Sequence, residues 1–185
     1  MNTEQRRLLL RLLAKLMLLV FIIGLLAVFV RSLPGYRVQD QVTHVNLKPL
    51  QAEQLLRYDW NGKRVLVLKR GAIDPSELQT LESELLDPYS RHATQPDTVN
   101  NVLRSVTREY FIALDYGTDL NCQLDYLSRD KTGPEGRVWL GGFRDRCRGS
   151  WYDQAGRVYN GQQAKRNLPV PSYQIQDNTL ILDAE

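Results

Sequence analysis

From Leu16 to Val30 the chain reads LMLLVFIIGLLAVFV without a charge, and Leu12-Leu13-Ala14 extends the apolar stretch past Lys15, whose stem can reach back toward lipid headgroups. That pattern predicts one slightly short membrane-spanning helix, so residues 1–31 comprise a cytoplasmic N-terminus and a transmembrane anchor. A cleaved signal peptide is the alternative, but no Ala-x-Ala-like site follows, and Arg31 bounds the run as it would a retained anchor. Ser32-Leu33-Pro34-Gly35 then breaks the helix, so residues 32–37 read as a linker and a second domain is expected over 38–185. There the pattern changes to short β-type runs. Val42 to Leu47 and Leu55 to Trp60 read as strands, and Asn61-Gly62 is a hairpin turn into Arg64 to Lys69, whose VLVL core marks a strand buried on both faces. Asp74-Pro75-Ser76-Glu77 supplies an N-cap, a first-turn proline and an acidic first turn, and Leu78, Leu81 and Leu85 recur at helical spacing. Residues 75–86 are therefore expected to be a helix. Asp87 to Thr98, polar with two prolines, reads as loop. Further strands are expected at Glu109 to Leu114, Val138 to Leu140, Arg157 to Tyr159, Tyr173 to Gln176 and Thr179 to Leu182. The fold class is thus mainly β: an antiparallel sandwich-like domain with one inserted helix behind an N-terminal transmembrane helix.

Charge changes this picture only by region. The chain of 185 residues carries a formal +3, but residues 1–31 hold Arg6, Arg7, Arg11, Lys15 and Arg31 against Glu4. That leaves 19 basic and 20 acidic side chains beyond them, a net of −1. The basic surplus belongs to the anchor, and the near-neutral remainder has no electrostatic footprint for nucleic acid. Four basic residues precede the apolar run and one follows it, which puts the N-terminus in the cytoplasm and the second domain on the far side of the membrane. Gln5-Arg6-Arg7-Leu8-Leu9-Leu10-Arg11 approximates a twin-arginine export signal but reads more simply as a row of ordinary cytoplasmic anchor charges. Cys122 and Cys147 both fall outside, where oxidation is favoured, so a disulfide is expected. A loop of that size contributes about 3 to 4 kcal/mol in the chain-entropy model. A redox-active pair would come with a Cys-x-x-Cys spacing or a neighbouring base, and neither is present.

The stretch GGFRDRCRGSWYDQAGRVYNGQQAKRNLPVPSYQIQDNTLIL, from Gly141 to Leu182, resembles the end of the Rieske iron–sulfur subunit of bacterial cytochrome bc complexes. The second cluster box of that family reads Cys-Pro-Cys-His-Gly-Ser, followed by x-Tyr-Asp, x-x-Gly-Arg and Asn-Leu-x-Val-Pro-x-Tyr. Here Gly149, Ser150, Tyr152, Asp153, Gly156, Arg157, Gly161, Asn167, Leu168, Val170, Pro171 and Tyr173 keep the pattern. Gly117-Thr118-Asp119-Leu120-Asn121-Cys122 falls where the first box, Cys-Thr-His-Leu-Gly-Cys, is expected. Arg104-Ser105 and Tyr110-Phe111-Ile112-Ala113 match the strand before it. The resemblance covers nearly the whole chain and implies a Rieske-like fold with its cluster-loop subdomain over about 115–168.

The departures bear on function. A Rieske cluster takes two thiolates and two imidazoles, from the first Cys and the His of each box. On this alignment those positions are Gly117, Asp119, Asp145 and Arg148, which cannot repeat that ligation. The remaining cysteine of each box is kept, so the resemblance implies that Cys122 and Cys147 form the family's structural disulfide. The family's proline lid falls on Gln163-Ala164-Lys165, and His44 and His92 lie far from both boxes. No cofactor, metal or catalytic set is expected, nor a small-molecule substrate. The expected role is non-enzymatic: a cluster-free accessory or assembly subunit of a respiratory-chain membrane complex, a cytochrome bc complex or a terminal oxidase. The alternative is an electron-transfer or metal-handling protein with an atypical centre at Asp119, Asp145 and the cysteines, against which Arg144, Arg146 and Arg148 would repel a cation. In place of the cluster, Asp119 and Arg148 are expected to bridge the loops as an ion pair, with Asp145 and the neighbouring arginines around it.

Overall fold

The computed structural model describes residues 3–32 and 43–182, and the chain divides into two units, Met1–Gln39 and Asp40–Glu185. In the first, α1 runs from Thr3 to Ser32 and is long and apolar enough to cross a membrane. It begins well before the apolar run, because Arg and Leu are good helix formers and nothing between Thr3 and Leu16 breaks the backbone. The proposed linker after Ser32, the domain start near Val38 and Val42 of the first expected strand lie outside the described residues.

The second unit holds, among the described residues, three antiparallel sheets of three strands each. Strand β1 (Thr43–Asn46) pairs with β9 (Thr179–Leu182), which pairs with β8 (Tyr173–Gln176). A second sheet orders β2 (Leu55–Trp60), β3 (Lys63–Lys69) and β4 (Tyr110–Leu114). Strands β5 (Leu124–Leu127), β6 (Gly142–Asp145) and β7 (Trp151–Asp153) form the third. The β2–β3 hairpin closes on Asn61 at φ 49° and Gly62 at φ 75°. Two left-handed residues match the right-handed twist of the strands they join, which is why Asn-Gly favours this turn. Val65 to Leu68 are buried, as are all five residues of β4, so the middle of this sheet is covered on both faces.

One core of buried side chains joins the three sheets, with Val45 and Leu180 from the first, Val67 and Ile112 from the second, and Leu124 and Phe143 from the third. A second cluster sits under the Gly149–Tyr159 stretch. In it Ile73, Leu78, Leu81 and Leu85 pack on Ala155 and Tyr159. Helix α2 spans only Pro75–Thr80, capped by Asp74, whose carboxylate accepts from the Ser76 N–H at 2.9 Å. The expected helix to residue 86 is corrected. A short 3-10 turn follows at Glu82–Glu84, and Leu85 turns extended to bridge Tyr159. A six-residue helix is unstable alone, so burial of Leu78, Leu81 and Leu85, about 1.5–3 kcal/mol each, decides the local backbone. Residues 138–140 are not a strand: the Trp139 indole N–H donates to the Ser128 carbonyl at 3.1 Å and its ring packs edge-on against Trp151. Arg157 to Tyr159 make only isolated bridges.

Candidate functional site

The two loops that match the cluster boxes lie at one end of the third sheet and are stitched by a disulfide between Cys122 and Cys147, with Cα atoms 6.0 Å apart. No free cysteine remains. Strand β6 ends on Asp145, which faces inward and is only 3% exposed. Its Oδ1 accepts from the backbone N–H of Cys147 at 2.8 Å and of Arg148 at 2.9 Å, and its carbonyl accepts from Gly149 at 3.0 Å. One carboxylate therefore holds the whole turn that follows. Its second oxygen, Oδ2, is buried and has no hydrogen-bond partner. That atom lies against Gly117: a Cβ built there would sit 2.0 Å from it.

On the resemblance to the cluster boxes, positions 117 and 145 fall where two iron-ligating thiolates are expected. Here one has no side chain and the carboxylate of the other fills the space a side chain at 117 would enter. The two positions that match imidazoles are also close. Arg148 Nε lies 3.3 Å from Asp119 Oδ2, with side chains 50% and 24% exposed. The neighbouring arginines are turned to other partners. Arg146 forks onto Asp125 at 2.6 and 2.9 Å and reaches Gln123, while Arg144 lies over the Trp151 ring at 5.1 Å. Gly117, Asp119, Asp145 and Arg148 do not fit an iron–sulfur cluster of the Rieske kind. A thiolate at 117 would collide with Asp145, and both imidazole positions carry groups already committed to each other.

The retained motif serves the base of these loops. Asp153 and Arg157 form an ion pair 0% and 1% exposed, Nη2 to Oδ2 at 2.6 Å, while Asp153 Oδ1 accepts from the N–H groups of Ala155 and Arg157. The Ser150 hydroxyl accepts from Ala164 N–H at 3.2 Å, and the Asn167 amide ties Val158 to Asp87 and Ser90. Tyr152 Oη accepts from the Thr118 N–H at 3.0 Å and so links β7 to the first loop. Burial pushes the Tyr152 phenol up despite that bond. Gly149 takes φ 69°, where a Cβ would press on the Arg144 guanidinium.

Two further arginines complete the base. Arg104 is 1% exposed and donates to the carbonyls of Ala155, Gly156 and Leu168. Arg70 donates to Leu103, Arg108 and Gln154 carbonyls and to Ser105 Oγ. Burial lowers both guanidinium groups to about 10. Arg70 was hidden in the sequence because a basic residue after a VLVLK strand reads as a solvated strand end. Thr118 was hidden because its role depends on a tyrosine 34 positions away.

No family model matches the chain. Among curated proteins, the chain is 36% identical over 151 residues to the ubiquinol-cytochrome c reductase iron–sulfur subunit of Allochromatium vinosum, covering 80% of this chain and 72% of that protein. The chain belongs to that Rieske iron–sulfur subunit family. The subunit of the same name from Blastochloris viridis is 33% identical over 141 residues, 74% of this chain and 67% of that one. A solved chain from a hyperthermophilic respiratory complex III aligns with a TM-score of 0.46 at 17% identity, over 91% of this chain and 96% of that one. Within this Rieske family, the positions that resemble the cluster boxes hold here a glycine, a buried carboxylate and an ion pair.

Proposed function

We propose that this Rieske-family chain is a cluster-free, membrane-anchored accessory or assembly subunit of a respiratory-chain membrane complex, a cytochrome bc complex or a terminal oxidase, acting as a structural scaffold without enzymatic activity of its own. The observation that carries this reading is the Asp145 carboxylate seated over Gly117 where the family places two thiolates. Support also comes from the curated relatives, which are subunits of ubiquinol-cytochrome c reductase. With the loops closed by a disulfide and an ion pair, the fold keeps its shape where electron-transfer chemistry has lost its ligands.

Residues 1–31 form the cytoplasmic start and anchor in the bacterial inner membrane, 32–37 the linker, and 38–185 the periplasmic domain, the orientation following from the excess of basic residues before the apolar run. The Asp119–Arg148 ion pair bridges the two loops in place of the cluster. Two measurements test the reading. Iron and acid-labile sulfide analysis of the purified chain, with visible absorption and electron paramagnetic resonance, is expected to find no cluster; stoichiometric iron and sulfide would overturn it. Purification of the membrane-bound chain in mild detergent, followed by mass spectrometry, is expected to recover subunits of one respiratory complex in fixed ratio.

A further inference from the structure

We propose that reduction of the Cys122–Cys147 disulfide converts the tip into a binding site for one zinc ion, held by both thiolates and the Asp145 carboxylate. This goes beyond the scaffold reading and does not depend on any partner complex. The two sulfurs and a carboxylate oxygen of Asp145 all lie within 4.8 Å of one another. Zinc with sulfur at about 2.3 Å and carboxylate oxygen at about 2.0–2.2 Å places its donors about 3.5–3.8 Å apart, a spacing the sulfurs approach as their bond opens.

Asp145 is built as a ligand would be. Oδ1 is fixed by two backbone N–H groups, which orients the carboxylate, while Oδ2 is buried and has no partner. A second shell that fixes one oxygen and leaves the other available is how ligating carboxylates are held. Cys147 is exposed, and together with Asp145 it lines an open cleft of about 360 Å³, so a reductant reaches the disulfide and a metal ion reaches the sulfurs, with Asp145 Oδ2 just beneath the surface. Three arginines line the same cleft and at first oppose a cation. In the fold Arg146 is turned to Asp125, Arg148 to Asp119, and Arg144 lies over Trp151, so each points its charge at another partner.

The reductant is a dithiol. It is oxidised to its own disulfide while Cys122 and Cys147 take up two electrons and two protons, and the two thiols release those protons when they bind the metal. Thiolates and a carboxylate form a mixed soft and hard set that suits zinc, with water completing four-coordination.

The test uses the full chain in detergent, reduced with a dithiol that is then removed, and titrated with cobalt(II) as a spectroscopic stand-in for zinc. One cobalt per chain is expected, with thiolate-to-cobalt charge-transfer absorption that zinc bleaches and that the oxidised chain never shows. Asp145→Asn keeps the acceptor for Cys147 and Arg148 and removes the anionic ligand, so it is expected to weaken binding at least tenfold. Near-ultraviolet circular dichroism follows the fold throughout. Absence of the charge-transfer band, equal affinity in D145N, or loss of the folded signal on reduction would each overturn the proposal.

Discussion

The Asp145 carboxylate and the Cα of Gly117 occupy what is a single shared space: an added Cβ on the glycine would come within 2.0 Å of Oδ2. The carboxylate cannot swing away cheaply, since its other oxygen holds two backbone N–H groups of the turn.

It follows that Gly117→Ala is expected to destabilise the domain by about 1–3 kcal/mol, the usual cost of overpacking a fixed site. Combining it with Asp145→Ala should recover part of that loss. A double-mutant cycle in urea measures this, and strictly additive costs would show that the two positions do not share space.

Loss of the disulfide is expected to cost about 3 kcal/mol, because it closes a loop of 25 residues in the unfolded chain. The comparison is Cys122→Ser/Cys147→Ser against the oxidised parent by denaturant midpoint. Single mutants are unsuitable because each leaves a free thiol.

For Asp119 and Arg148 the expected coupling is small, no more than about 1 kcal/mol, since both side chains are partly exposed and the nearest approach is 3.3 Å. It should fall further as salt is raised. A coupling that is large and insensitive to salt would mean the pair bridges the loops far more firmly than this geometry suggests.

Breaking the buried pair is a different matter. Arg157→Met leaves Asp153 charged and enclosed, and a loss of about 3–5 kcal/mol is expected. If the variant folds too poorly for equilibrium unfolding, its yield of protease-resistant domain against the Arg148→Met control gives the same ordering.

Alkaline titration should separate the phenols. Tyr126, Tyr152, Tyr159 and Tyr173 are all pushed up, chiefly by burial. In the folded chain they keep their protons above the ordinary tyrosine range, whereas the unfolded chain releases them there. Each therefore contributes a loss of stability as pH rises past about 10. Arg70 and Arg104, lowered to about 10, act in the opposite sense over the same range. The tyrosinate absorbance of these four should rise only as the domain unfolds.

What the sequence made legible was whatever local chemistry decides. Asn61-Gly62 announces its turn, and Asp74-Pro75 announces a helix start, because turn and cap preferences act within a few residues. Strands β5 to β7 were missed. LDYL, GFRD and WYD are short and mix charges into the run, and they pair because the surrounding loops bring them together. Val138 to Leu140 erred the other way, as a short apolar run whose tryptophan packs sideways instead of pairing. At the site, residue identities showed where the resemblance to the cluster boxes breaks off, and the Asp119–Arg148 contact could be guessed from charge. The inward turn of Asp145 could not, since it depends on the absence of a side chain 28 positions earlier in the chain.

Arg70 and Arg104 fasten the carbonyls of residues 154, 155, 156 and 168 from beneath, without involving any of the four altered positions. The loops therefore stand on a foundation that does not know what they hold. A lineage could empty such a tip one residue at a time, each intermediate still folding and still anchored. Substitution of the loop residues above the foundation is thereby free to change what the tip binds while the domain beneath it stays the same.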